Sequence, residues 1–296
     1  MKLDNLSTEQ RNSRTEGLDS MSIRKILQTM NEEDRSVSEA VKEVIPQLDV
    51  LITQTIERVK VGGRIIYIGA GTSGRLGVLD AAECPPTFGV DPTLVVGIIA
   101  GGEKALLEAI EGAEDSETLA ADDLAAISLS EKDVVIGIAA SGRTPYVRTA
   151  LEYARAQGSL TASLSCNTDA IISKAAEHPI EMNTGHEVLT GSTRLKAGTA
   201  QKLALNMIST SVMIGLGKVY RNLMVDVRAT NVKLQHRAKN MIVQATGVDA
   251  ETAASYYNQA NQNVKVAIVM ILTEVSYEEA SKRLDSAEGF VRQAIK

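Results

Sequence analysis

From residue 65 onward the chain is a rhythm of short apolar runs separated by longer amphipathic stretches. Ile65-Ile66-Tyr67-Ile68, Leu94-Val95-Val96-Gly97-Ile98-Ile99, Val134-Val135-Ile136-Gly137-Ile138-Ala139 and Leu160-Thr161-Ala162-Ser163-Leu164 are four such runs. Ile180-Glu181-Met182 reads as a short fifth. Runs this short, apolar on both faces, are the signature of strands covered on both sides of a parallel sheet. Helical patterns lie between them at 103–110, at 117–127 and from Thr144-Pro145, where Thr can cap and Pro can occupy the first helical position. Strands alternating with helices predict a three-layer α/β/α doubly wound parallel sheet joined by right-handed crossovers.

The ends read differently. The first thirty residues are polar and predict an irregular arm before a short helix near 23–30. From 34 to 59, Val37, Val41, Val44, Leu48, Leu51 and Ile52 recur at helical spacing, Pro46 predicts a kink or break, and Gly62-Gly63 ends the helix. Residues 196–217 read as one long helix with Leu203, Met207, Thr210 and Ile214 on one face. Beyond Asn231, patterns at 238–246, 250–259 and 277–282, with 264–272 between or within them, predict a small three-helix bundle. The expected division is an N-terminal arm and helices over 1–54, the α/β domain over 55–225 and a C-terminal helical region over 226–296, with the change near 225–240.

Of 296 residues, 44% are hydrophobic but only 3% aromatic, with no Trp, so the core must be aliphatic. That suits helices packed on a parallel sheet. The net charge of −6, with no Lys/Arg-rich run, argues against nucleic acid or an acidic membrane as partner. No apolar stretch approaches the ~20 residues of a membrane span, and Met1 to Ser7 lack the apolar centre of a signal peptide. Cys84 and Cys166 form no paired motif, which makes the cytoplasm the default. His178, His186 and His236 have no metal-ligand spacing, so no metal is expected.

The strongest chemical feature follows the first strand: Gly69-Ala70-Gly71-Thr72-Ser73-Gly74-Arg75. A Gly-rich turn feeding a helix offers backbone N–H groups and a positive helix end to an anion. As G-x-G-x-x-G it would bind a dinucleotide, but the second strand ends in Ala100-Gly101-Gly102, without the required carboxylate. As a P-loop it lacks the Lys and Ser/Thr, replaced by Arg75 and Leu76. The third strand ends in a related loop, Ser141-Gly142-Arg143-Thr144-Pro145. Two hydroxyl-rich loops at the carboxyl ends of parallel strands suit a single phosphate, as on a sugar; Ser141 and Thr144 can equally cap the next helix. A third polar cluster, Glu187 with Ser192, Thr193 and Lys196, lies at another helix start and reads either as ligand or as solvated cap. Glu83, in Ala81-Ala82-Glu83-Cys84-Pro85-Pro86, has an apolar, turn-rich setting that would raise its pKa, whereas Glu114 shares a charged, solvated loop with Glu111 and Asp115.

The two Ser/Thr-Gly loops and the Glu-x₄-Ser-Thr segment resemble a sugar isomerase (SIS) domain. Thr8-Glu9-Gln10-Arg11-Asn12, Met30-Asn31-Glu32-Glu33-Asp34, Gly69 to Asp80 and Ala82 to Phe88 extend the likeness across essentially the whole chain, to the N-acetylmuramic acid 6-phosphate etherases. That resemblance implies a carbon–oxygen lyase that needs no cofactor, acting as a homodimer in cell-wall amino-sugar recycling. It implies Glu83 as acid and Glu114 as base. It implies substrate or phosphate contacts from Gly71, Thr72, Ser73, Ser141, Gly142, Arg143, Thr144, Glu187, Ser192, Thr193 and Lys196. The rivals are a non-catalytic sugar-phosphate sensor, which would not need the two carboxylates, and an aldose–ketose isomerase, which would release no lactate.

Overall fold

The computed structural model describes residues 6–227 and 232–296. Residues 1–5, part of the stretch read for a signal peptide, and 228–231, within the expected boundary region, lie outside them. The chain forms two compact units, Met1–Ala82 with Thr93–Ser209 and Glu83–Pro92 with Thr210–Lys296.

The first unit is built on five parallel strands: β1 (Ile65–Gly69), β2 (Val95–Ile99), β3 (Val134–Ile138), β4 (Leu160–Ser165) and β5 (His178–Glu181). Their order is β2-β1-β3-β4-β5, with Ile65 in register with Val95 on one side and Val134 on the other. All five expected runs are strands. Alternation along β1 decides the layers. Ile66 and Ile68 join a core with Ala120, Leu124, Val147, Leu151 and Ile172, from α4 (Leu119–Ala126), α5 (Pro145–Ala156) and α6 (Ile171–Ala175). Tyr67 points to the opposite face, under α3 (Gly71–Phe88), where a β-carbon on Gly77 would stand 2.9 Å from the Tyr67 Cβ.

Several expected helices differ. The short helix near 23–30 does not stop there. It continues as α1 (Ile23–Lys42), and the break falls at Glu43-Val44 before α2 (Ile45–Lys60). Pro46 sits in the first turn of α2, where its missing N–H has no partner to lose. The expected helix at 103–110 is only a 3-10 turn, Glu103–Leu106. The Arg75 guanidinium takes the Leu106 and Glu108 carbonyls at 3.0 Å each, which a continuing helix would need for its own amides. Gly112 then turns at φ +76°.

Within α7 (Lys196–Gly215) the stripe of Leu203, Met207, Thr210 and Ile214 is the outer one, with Leu203 half-buried. Ala197, Ala200, Ala204, Ile208 and Val212 are buried, while Met207, Thr210 and Ile214 are exposed. In the second unit the expected three-helix bundle has five helices among the described residues: α8 (Val232–Thr246), α9 (Ala250–Gln259), α10 (Val264–Thr273), α11 (Tyr277–Ser286) and α12 (Val291–Ala294). Asp249, Asn263 and Ser276 cap α9, α10 and α11, and Ala238, Ile242, Tyr257, Ile268 and Leu284 form the core.

Candidate functional site

In an open parallel sheet, ligands sit at the carboxyl ends of the strands where the order reverses. Here that point is between β1 and β3, and both Gly-rich loops border it. The glycines after β1 bring α3 close to the sheet. A β-carbon on Gly74 would lie 2.7 Å from the Gly69 carbonyl oxygen, and Gly71 holds φ +53°. The first turn of α3 therefore sits on the strand end, with Thr72 half-buried and Ser73 buried.

A cleft of about 160 Å³ opens beside this turn, lined by Ala70, Gly71, Arg75, Ala100, Glu111 and Glu114. The Tyr146 backbone N–H donates to the Glu114 carbonyl at 3.1 Å, which fastens the acidic loop to the start of α5. The Glu114 side chain is exposed, as a solvated loop predicts.

Glu83 is also exposed, and here the expected apolar setting fails. Pro85 and Pro86 do not make a turn; they lie inside α3, which runs on to Phe88. Ala81 and Cys84 are buried, but Ala82 and Glu83 project from the helix.

The second loop is a tight turn with free hydroxyls. Gly142 adopts φ +70°, and a β-carbon there would stand 2.4 Å from the Ala170 Cβ. Ser141 Oγ accepts from the Arg143 N–H at 3.3 Å, which leaves its own proton to donate. Thr144 occupies the cap position of α5, but its hydroxyl makes no capping bond. Arg143 and Thr144 are half-buried beside it.

The third cluster is largely structural. Glu187 is fully buried, and its two carboxylate oxygens accept from the Lys196 and Ala197 N–H groups at 2.9 Å each. It caps the start of α7. Burial pushes its pKa up, against those two N–H donors and the Lys196 charge. Lys196 is 3% exposed and donates to Glu33 at 3.2 Å; Glu33 also takes Arg14 at 2.8 Å and Asn12 at 2.9 Å. That ammonium is paired with a carboxylate inside the protein. Ser192 and Thr193 are half-buried in the turn before α7.

Ser73 carries a complication. Its Oγ donates to Gln201 Oε1 of α7 at 2.9 Å, so its proton is already committed. Gln201 escaped sequence reasoning because it belongs to no motif; Arg75 was visible only as a missing Walker lysine. His178 and His186 bond to Gln54 and to the Arg11 carbonyl, and His236 is exposed on α8. Among the described residues no three His, Cys, Asp or Glu side chains gather as metal ligands.

Comparison with known proteins agrees with the fold. Residues 44–155 match the glucokinase regulatory protein N-terminal SIS domain, and residues 113–211 match the SIS domain. A phosphoheptose isomerase structure from Francisella tularensis superposes with a TM-score of 0.52 at 16% identity, covering 66% of this chain and 99% of that one, which is a likeness of fold. A curated N-acetylmuramic acid 6-phosphate etherase of Exiguobacterium sp. is 63% identical, over 99% of this chain and 100% of that protein. Those of Bacillus cereus and Geobacillus sp. are 61% and 59% identical, each over 99% of this chain and 100% and 99% of theirs. At such identity along nearly its whole length, the chain belongs to the N-acetylmuramic acid 6-phosphate etherase family.

Proposed function

We propose that this chain is a carbon–oxygen lyase that cleaves the D-lactyl ether of N-acetylmuramic acid 6-phosphate, giving N-acetylglucosamine 6-phosphate and D-lactate. The observation that carries this reading is the 63% identity to a curated etherase over 99% of the chain. In the ring-opened sugar the C1 aldehyde acidifies the C2 hydrogen. Glu114 removes that proton, the C3–O bond breaks, and Glu83 protonates the departing lactyl oxygen. Water then adds to the unsaturated aldehyde, its hydroxyl to C3 and a proton to C2. Glu114 is exposed and lines the cleft beside Gly71, which supports its assignment as the base.

The phosphate is assigned to the first turn of α3, at Gly71, Thr72 and Ser73, and to the Ser141–Thr144 loop. Both lie within a proposed sugar-phosphate domain over residues 55–225, flanked by an N-terminal arm and helices over 1–54 and a helical region over 226–296. The proposal includes a homodimer, a cytoplasmic place and a part in amino-sugar recycling. Among the described residues no helix is long and apolar enough to cross a membrane.

Lactate release from N-acetylmuramic acid 6-phosphate tests the reading, with proton NMR in heavy water to divide the carboxylates. Glu83→Gln should lose lactate release, by ~10²–10⁴-fold, yet still exchange the C2 hydrogen. Glu114→Gln should lose both. Exchange surviving only in Glu114→Gln would reverse the roles, and full activity in either variant would sink the mechanism.

A further inference from the structure

Gln201 is fully buried, one turn into α7, and holds an unusual position in the hydrogen-bond network. Its Oε1 accepts from Ser73 Oγ, in the first turn of α3, at 2.9 Å. Its Nε2 is buried with no hydrogen-bond partner among the described residues. Buried N–H donors without acceptors are rare because they lose water and gain nothing in return. A carboxamide also has nearly the same shape in its two orientations about χ3, so O and N can exchange places at little steric cost.

A hydroxyl has one proton to donate. In the orientation seen, Ser73 gives it to Gln201 and has none for an anion outside. In the turned orientation, Nε2–H donates to Ser73 Oγ, Oε1 takes the unpartnered place, and the Ser73 proton is released toward the helix N-terminus, so the two orientations are close enough for a ligand to choose between them. Gln201 is itself too deeply buried to touch a ligand. The geometry points to Gln201 as a positioning residue that sets the direction of the Ser73 hydroxyl: inward without ligand, outward when a sugar phosphate occupies the first turn of α3. This rests on the proposed function, which places the phosphate there, and adds the residue that makes Ser73 a donor to it.

The test is a double-mutant cycle read as KM against kcat for N-acetylmuramic acid 6-phosphate. Ser73→Ala should raise KM about tenfold, the value of one hydrogen bond to a charged group. In Gln201→Glu the ionised carboxylate can only accept, so it keeps the Ser73 proton. KM should again rise about tenfold with kcat within about twofold of wild type, since a binding contact is lost. Added to Ser73→Ala, the same substitution should change KM by less than about twofold, because Gln201 acts through Ser73. The penalty should also shrink, relative to wild type, as falling pH protonates the introduced carboxyl and restores a donor.

If Ser73→Ala leaves KM unchanged, the phosphate assignment fails and the inference with it. If Ser73→Ala raises KM but Gln201→Glu is as costly in its background as alone, the assignment stands and the role of Gln201 is overturned. Should the buried carboxylate prevent folding, the wild-type protein still decides. The Gln201 side-chain amide resonances, assigned by their loss in Gln201→Met, should shift on saturation with N-acetylglucosamine 6-phosphate. They should not shift in Ser73→Ala; no shift in the wild type, or an equal shift in both, overturns the inference.

Discussion

Ser141 and Gly142 do different work within one turn. Ser141 accepts the Arg143 N–H and keeps its proton for an outside acceptor. Gly142 makes the turn possible, at φ +70° with no room for a β-carbon against Ala170. Ser141→Ala should therefore weaken binding of the phosphorylated sugar by roughly tenfold or more, about 1.5–3 kcal/mol, while the melting temperature holds. A calorimetric titration with N-acetylglucosamine 6-phosphate measures the first and a thermal melt the second; unchanged affinity removes Ser141 from the site. Gly142→Ala should do the reverse, costing roughly 2–5 kcal/mol of stability through backbone strain and overpacking. Urea unfolding would detect that cost, and a variant as stable as wild type would contradict it. The hydroxyls of this loop were legible in the sequence because a strand end and a helix start bracket them. Glu187 and Lys196 were not. Their residue types suit ligand binding, and the partners they have in the fold, the Lys196 N–H and Glu33, lie nine residues and more away. Composition at a helix start cannot separate a cap from a ligand, since the same N–H groups attract both.

At the level of elements, the strands were readable because apolar runs between glycines leave them no other buried place. The helices were less so. The turn at 103–106 is set by Arg75, whose guanidinium arrives from about thirty residues earlier in the chain. The exposed stripe of α7 repeats as regularly as its buried one, so periodicity alone did not say which faces inward. The strand starts have their own lock. Asp133, 1% exposed just before β3, accepts from the Arg64 backbone N–H at 2.9 Å and its guanidinium at 2.8 Å, and from the Ser130 N–H at 2.9 Å. Burial pushes its pKa up, but Arg64 and the Ser130 N–H outweigh that and hold it below the ordinary carboxylate value. A depressed folded pKa adds stability above the unfolded value, about 4, and that stability is lost as pH falls through the lower folded value. Asp133→Asn should thus cost about 3 kcal/mol at neutral pH, and its deficit should narrow below about pH 4. Thermal melts of both proteins across that range check the sign; a deficit that widens in acid would refute it.

For the whole molecule, the strand order matters most, because it places both Gly-rich loops at the one point where that order reverses. A second consequence lies on α7. Met207 and Ile214 are seven residues apart on one helical face and remain 40% and 48% exposed, with Thr210 between them. Two large apolar side chains in register on a long helix form a seam suited to an identical helix from a second copy, which would pair the same patch with itself. Full burial of such a side chain contributes roughly 1.5–3 kcal/mol, so completing the burial of these half-exposed ones contributes about half that each, and the four in a symmetric pair are together worth about 3–6 kcal/mol, or a factor of ~10²–10⁴ in dissociation constant. Because the stripe points away from the core, charging it should leave the fold intact. The expectation is that the wild-type protein sediments at about twice the 31.6 kDa of one chain, while Met207→Asp with Ile214→Asp sediments as a single chain with an unchanged melting curve. A wild-type monomer at micromolar concentration would end the homodimer proposal; a double variant that remains dimeric would move the interface off α7.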